Sequence, residues 1–410
     1  MIYKTVFYNI KAFFKWLVIA VLMGVVIGAV GALFHHAIEL VTQFRIANNF
    51  VVALLPVGGL AIVLLYHFAK MDNDEGTNTV LKSVSTVEIV PPLWQAPLIF
   101  ISTVITHLFG GSAGREGAAL QLGGSIGNGL SGLLRLDKKQ SGIVTMCGMS
   151  AGFSALFGTP VTAAVFAMEV ASIGVMHYAA IVPCVISAVV GTGVASLLGV
   201  HAEAFVVSNV PQMNITSILQ IVLLGGLCAL LSVFFCGTMH QTQKLYEKYI
   251  SNKYIRIFVG GIVVAVLTFV LGTGDYNGAG MNVIEKAVEG DAFAFAFLLK
   301  IIFTALTLGA GYKGGEIVPT LFIGATFGAV VAPFLGLSPQ FGASVGMIAL
   351  FCGVTNCPVS SVFLSIELFG ATGLPLYATA VAVSYMLSGY GGLYSSQKIL
   401  YSKFEDRVRK

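Results

Sequence analysis

Long apolar runs separated by short polar breaks follow one another along the whole chain. They cover Phe13–Ile38, Phe50–Phe68, Leu93–Phe109, Ile143–Val170, Ala179–Leu198, Ile218–Phe235, Ile257–Leu271 and Ala292–Leu308, and apolar character continues from Ile317 to Tyr390. Several reach the roughly 20 residues that a membrane-spanning helix needs. The run Ile143–Val170 is too long for one straight crossing and is interrupted at Gly158-Thr159-Pro160, and Gly353 to Pro358 interrupts a later run. Broken helices at membrane depth are tolerated only where they line a cavity or are covered by protein. Both breaks are therefore expected to point inward, toward a site.

Composition strengthens this reading. Of the 410 residues, 57% are hydrophobic and 10% charged, against about 45–50% and 25% in soluble domains. Such a chain cannot cover a water-facing surface, so the lipid bilayer is its solvent. The net charge of +4 is modest and spread over loops and ends, with no nucleic-acid footprint. Lys4, Lys11 and Lys15 stand before or at the head of the first run, as they would in a cleaved signal peptide; the length of the run and the many similar segments after it favour a span.

Lys and Arg cluster before the first span, at Arg135–Lys139, at Lys244–Arg256 and at Lys398–Lys410, and none occurs between Lys139 and Lys244. By the positive-inside rule these clusters read as cytoplasmic and the Glu203 loop as external, with both termini inside. The six cysteines lie in or against apolar runs without zinc-type spacing and read as packing residues. The seven histidines stand singly or as the pair His35-His36, with no HExxH. Each reads as an interhelical or interfacial hydrogen-bonding group, and no metal site or cofactor is expected.

The chain also resembles itself. Thr159-Pro-Val-Thr-Ala-Ala-Val-Phe-Ala-Met-Glu169 has a counterpart in Cys357-Pro-Val-Ser-Ser-Val-Phe-Leu-Ser-Ile-Glu367, and Gly148-Met149 matches Gly346-Met347 at the same offset of 198. Glu116-Gly-Ala-Ala-Leu-Gln-Leu-Gly123 aligns with Ile317-Val-Pro-Thr-Leu-Phe-Ile-Gly324 at an offset of 201. Internal duplication in a membrane protein commonly means two halves related by a pseudo-twofold, with the substrate at the midplane between them. The expected halves are residues 1–205 and 206–410, with no soluble regulatory domain.

The segment with the most chemistry is Gly110-Gly-Ser-Ala-Gly-Arg-Glu116-Gly, where a glycine-rich turn enters an apolar helix. Free N–H groups at a helix start, aided by the positive end of the helix dipole, attract an anion without a full cationic charge. A carboxylate at that point occupies the anion's place when ionised and leaves it when protonated, so Glu116 would couple anion access to protons. Gly309-Ala-Gly-Tyr-Lys-Gly-Gly-Glu316-Ile-Val-Pro319 repeats the architecture. There Glu316 either supplies a second ionisable group at depth or pairs locally with Lys313. Glu169 and Glu367, at matching repeat positions, are intramembrane acids with either a functional role or a structural one at a helix end. The GxSxG patterns around Ser150 and Ser344 lack the strand-to-helix elbow and the His and acid partners of a hydrolase. The GxGxxG of Gly309–Gly314 follows a membrane run rather than a strand, and is a chance match.

The run Gly114-Arg115-Glu116-Gly117 followed by a glycine-repeat helix resembles the gating motif of the CLC anion channels and transporters, and Gly314-Gly315-x-x-x-Pro319 resembles its partner in the second half. The resemblance covers most of the chain. It implies an all-α polytopic membrane protein built as an inverted repeat of broken and tilted helices, a homodimer with one anion pathway per subunit. It further implies anion coordination by backbone amides at Gly117, Glu316 and Ile317 and by the side chains of Thr77 and Tyr394, which fall where the family has its anion-binding loop and pore tyrosine. Three positions depart from the common pattern: Ala118 replaces proline after the gate, Glu316 replaces an apolar residue, and Val170 stands where many chloride/proton exchangers have an internal acid. The last two resemble the fluoride-exporting branch, whereas Thr77 is closer to the serine of chloride-type members. The implied activity is exchange of a small monovalent anion for protons, fluoride export foremost, in a bacterial inner membrane. Chloride transport, broader selectivity or a passive channel is the alternative.

Overall fold

In the computed structural model, which describes residues 2–86 and 91–405, sixteen α-helices follow one another. They are α1 (Ile2–Ala47), α2 (Leu55–Phe68), α3 (Thr77–Thr86), α4 (Gln95–Leu108), α5 (Glu116–Leu133), α6 (Lys138–Phe157), α7 (Pro160–Glu169) and α8 (Ile181–Leu197), then α9 (Ile215–Tyr249), α10 (Lys253–Leu271), α11 (Met281–Glu289), α12 (Ala296–Ala310), α13 (Ile317–Val331), α14 (Pro339–Thr355), α15 (Pro358–Phe369) and α16 (Leu374–Leu387). The second eight repeat the first in order. In both sets a long first helix packs on the eighth, the fifth on the sixth, and the sixth on the eighth. Part of the basic cluster expected over Lys398–Lys410 lies outside the described residues.

Local chemistry sets the helix boundaries. Asp137 caps α6 by accepting from the Gln140 N–H, Asn214 and Ser217 form a reciprocal capping box on α9, and Ser338 precedes a proline-started α14. The two expected breaks are present. At the first, α6 ends on Gly158 with φ +72° before α7 starts at Pro160. At the second, Asn356 takes a left-handed φ of +57° between α14 and α15, a conformation that Gly and Asn tolerate best. Helices α3 and α11 fall between the apolar runs and are not legible from them. Ser172–Ile173 and Lys398–Ile399 pair as a short parallel ladder.

Among the described residues, six helical segments are long and apolar enough to cross a membrane. At 46 residues, α1 would be about 70 Å long at 1.5 Å per residue, well beyond a hydrocarbon core of about 30 Å. It must tilt or protrude. Large apolar side chains such as Leu33, Val189, Leu230 and Val270 lie on the outside, as lipid-facing residues would.

Glycine contacts form the interior. A Cβ added at Gly148 would run into the carbonyl of Gly123, and one at Gly127 would meet the Val144 carbonyl at 2.6 Å; Gly324 and Gly346 repeat the arrangement between α13 and α14. The GxSxG around Ser150 is thus a close helix-packing face, and the Ser150 hydroxyl donates to the Cys184 carbonyl at 2.9 Å. Because the obstacle at Gly148 is backbone, a Gly148→Val chain is expected to lose about 3 kcal/mol or more, the upper end for overpacked cores. Size-exclusion chromatography after extraction should show aggregate. Gly132→Ala, which meets nothing within 4 Å, should remain monodisperse.

The two sets of helices are joined at their short members. The Glu169 carboxylate, at the end of α7, accepts from the Val359 N–H at 3.1 Å, the Ser360 N–H at 2.9 Å and the Ser360 hydroxyl, all at the start of α15. Glu367, near the end of α15, accepts from the Val161 and Thr162 N–H groups of α7 at 2.9 and 2.8 Å. Each acid caps the helix that carries the other, which is the structural role at a helix end. Tilted ring contacts extend the junction, with the Phe153 and Phe166 centroids and the Phe166 and Phe351 centroids both 5.6 Å apart.

Candidate functional site

Two glycine-rich turns, residues 110–115 and 311–316, meet where α5 and α13 begin. Gly114 and Gly315 exchange both backbone hydrogen bonds, at 2.7 and 2.8 Å. A Cβ on Gly117 would stand 2.8 Å from the Gly315 Cα, so only glycine permits this approach. The starts of α5 and α13 are thereby set side by side, each with first-turn N–H groups that have no partner within their own helix. These include the amides of Gly117 and Ile317.

Glu116 is fully buried and folds back over the start of its own helix. Its Oε2 accepts from the Arg115 N–H at 3.1 Å and its Oε1 from Arg115 Nε at 3.2 Å. The carboxylate therefore occupies the place where a helix start would receive an anion. The rest of the Arg115 guanidinium is held from outside, Nη1 donating to His35 Nδ1 at 3.0 Å and Nη2 to Glu203 at 2.9 Å. Glu203 sits in the loop between α8 and α9, where burial pushes its carboxyl up from the usual range against the pull of Arg115.

On the other side, a cavity of about 930 Å³ reaches the same point, lined among others by Asp74, Thr77, Gln121, Lys313, Glu316 and Tyr394. Five buried polar atoms of its lining residues have no protein partner, the Tyr66 hydroxyl and Arg256 Nε as well as Glu316 Oε2, the Tyr394 hydroxyl and Gln121 Oε1. Buried polar groups are otherwise nearly always satisfied, so this convergence marks a place for a polar guest. Lys313 pairs with Asp74 at 3.5 Å and lies 4.4 Å over the Tyr66 ring. The local Glu316–Lys313 pair, one of the two readings of this turn, is not formed. Glu316 Oε2 instead lies against the start of α5, 3.4 Å from where a Gly117 Cβ would be.

Thr77, Gly117, Glu316, Ile317 and Tyr394 are thus gathered around one region, with Glu116 at the start of α5 beside it. Glu169 and Glu367 are not brought there, and Val170 is buried with its carbonyl engaged by Gln397 at 2.9 Å. Sequence reasoning missed Gln121, whose Nε2 donates to the Thr77 hydroxyl oxygen at 2.9 Å. That bond leaves the hydroxyl hydrogen free to point at a guest. Gln121 is the one amide in the otherwise small and apolar run Gly117–Gly124, and that contrast was the available signal. The chemistry on hand is an anion cradle of helix starts and hydroxyls, with one acid seated in it and a second, without a counter-ion, at its rim.

The chain is similar to known proteins. A protein from Pseudomonas syringae pv. tomato described as a chloride/fluoride channel protein is 35% identical over 395 residues, covering 95% of this chain and 87% of its own length. The H(+)/Cl(-) exchange transporter ClcA of Yersinia pestis is 25% identical, covering 93% and 86%. Among solved structures, a CLC-type fluoride/proton antiporter superposes with a TM-score of 0.91 at 30% identity, covering 94% of this chain and 98% of that one. A slow cyanobacterial Cl-/H+ antiporter shares the fold, with a TM-score of 0.78 at 18% identity, covering 91% and 94%. The family described as voltage gated chloride channel matches residues 57–389, and with the paired helix starts and the seated glutamate this places the chain in the CLC family of anion channels and transporters.

Proposed function

We propose that this protein is a secondary active transporter that exchanges a small monovalent anion for protons, with fluoride export as its main task. The observation that carries the reading is the pair of buried acids on two apposed helix starts: Glu116, seated where an anion would bind, and Glu316, whose Oε2 has no partner and faces the cavity. When a proton neutralises Glu116, its seat is free for an anion; Glu316 is the group that hands protons to and from the cavity side. Anion ligands are the amides of Gly117, Glu316 and Ile317 and the hydroxyls of Thr77 and Tyr394. The likeness to a fluoride/proton antiporter of known structure supports the choice of cargo.

The working unit is a homodimer with one pathway per subunit, in a bacterial inner membrane with both termini cytoplasmic. The repeat of eight helices supports dividing the chain near 205/206, within the loop between α8 and α9. Proteoliposomes loaded in parallel with fluoride, chloride, nitrate or bicarbonate test the proposal, with proton movement recorded. An imposed fluoride gradient should drive protons uphill. Anion flux without proton movement would make the protein a passive channel.

Thr77 favours a broader selectivity than strict fluoride export. Fluoride holds its water tightly, so a site must offer several strong donors in exchange, whereas chloride needs fewer and weaker ones. A hydroxyl serves either. Thr77→Met is expected to shift preference toward fluoride and Thr77→Ser to change little, as read from the fluoride-to-chloride efflux ratio. A wild type that already excludes chloride by orders of magnitude would assign selectivity to the Glu316 turn instead.

A further inference from the structure

Away from the anion cavity, on the face carrying the loop between α8 and α9, three ligand atoms converge on α1. One nitrogen each of His35 and His36 and one carboxylate oxygen of Glu39 lie within 4.8 Å of one another. His36 and Glu39 are exposed and His35 is partly so, so an ion can reach them without entering the anion pathway.

Hydrogen bonding fixes the state of both rings. His36 Nε2 lies 2.8 Å from the Leu198 carbonyl oxygen, which only accepts, so in the neutral ring Nε2 carries the hydrogen and Nδ1 is a bare lone pair. That lone pair stands 3.9 Å from Glu39 Oε2. Two acceptors thus face each other with no hydrogen between them, an arrangement that a cation would satisfy. A ring held through one nitrogen by a backbone carbonyl, with the other nitrogen bare, is also how metal-ligating histidines are oriented. His35 is fixed differently: Arg115 only donates, so His35 Nδ1 accepts and its Nε2 carries the hydrogen, 3.6 Å from Glu39 Oε2.

We propose that His35, His36 and Glu39 form a regulatory site for a borderline divalent transition-metal cation of the zinc type. Two imidazoles and a carboxylate are a usual zinc set, with water in the remaining position. The site is linked to the gate through one hydrogen bond. For His35 Nε2 to take the metal, its hydrogen must be carried on Nδ1, where Arg115 also presents an N–H. Two donors cannot share that contact, and the metal's charge repels the guanidinium as well. Arg115 is left with its carboxylate partners, Glu116 and Glu203, and holds the gate acid more firmly in its seat. Occupancy therefore slows anion exchange.

The test uses the tag-free full-length chain. Zinc chloride titrated calorimetrically into detergent-solubilised wild type should show one site per chain, weakened at least about tenfold in His36→Gln and in Glu39→Gln, as expected when a ligand or its support is removed. Equal affinity in all three chains would overturn the site. In proteoliposomes, zinc should slow the wild type and leave His36→Gln unaffected, the two having the same rate without zinc. A wild type that binds zinc as described yet keeps its rate would overturn the link through Arg115. The binding measurement is independent of the transport reading, which stands or falls on the zinc-free fluxes.

Discussion

Glu116→Gln in liposomes is expected to pass anions while moving no protons, and its flux is expected to lose dependence on pH. The amide matches the protonated acid in shape and cannot release a hydrogen. It also offers one acceptor oxygen where the carboxylate uses two, against the Arg115 N–H at 3.1 Å and Arg115 Nε at 3.2 Å. A charge-assisted pair is replaced by a weaker neutral contact, so the side chain leaves the helix start more readily. Wild-type liposomes should acidify or alkalinise uphill under an anion gradient, and the variant signal should fall to that of protein-free liposomes. Undiminished proton-coupled exchange by the purified variant would take Glu116 out of the mechanism.

The second large effect is expected at Glu316. Val170 leaves no acid at the position that serves many chloride/proton exchangers, and Glu316 is the buried acid that opens on the cavity with an unpartnered oxygen. Glu316→Ala removes the proposed proton carrier and leaves the Tyr394 hydroxyl and Gln121 facing an empty space. Coupled exchange should stop. Glu316→Gln keeps the volume and a polar atom, so it should retain more of the folded protein while still moving no protons. Wild-type stoichiometry in Glu316→Ala would turn attention to Glu169, whose carboxylate, however, is engaged by three donors at the start of α15.

Much of this was legible from sequence because it depends on contiguous residues. The breaks at Gly158-Thr159-Pro160 and at Asn356-Cys357-Pro358 follow from backbone chemistry, and the start of α5 at Glu116 from a glycine-rich turn entering an apolar run. Offsets of 198 and 201 marked α7 and α15, and α5 and α13, as counterparts in a duplicated unit; that each pair also meets in space came from the structure. Helices α3 and α11 escaped because their apolar residues are too few to make a run; α11 is stabilised by packing against α13 and α14. At the site, the backbone ligands could be expected from the glycine turns. The Gln121–Thr77 bond joins residues 44 apart and the Arg115–Glu203 pair residues 88 apart, and nothing local encodes either. The same limit applied to Glu316, whose neighbour Lys313 is three residues away but is drawn to Asp74 in another turn.

The exchange of caps between Glu169 and Glu367 bears on biosynthesis. A ribosome delivers α7 to the membrane about two hundred residues before α15, at roughly 5–20 residues per second. During that interval the Glu169 carboxylate has no Val359 or Ser360 to receive, and the Val161 and Thr162 N–H groups have no Glu367. The nascent first half therefore holds an unneutralised acid and open helix donors in or near lipid, where unmet polar groups are costly. Neither residues 1–205 nor residues 206–410 are expected to fold alone. Separately expressed fragments 1–205 and 206–410 should each be degraded, and co-expression should rescue both.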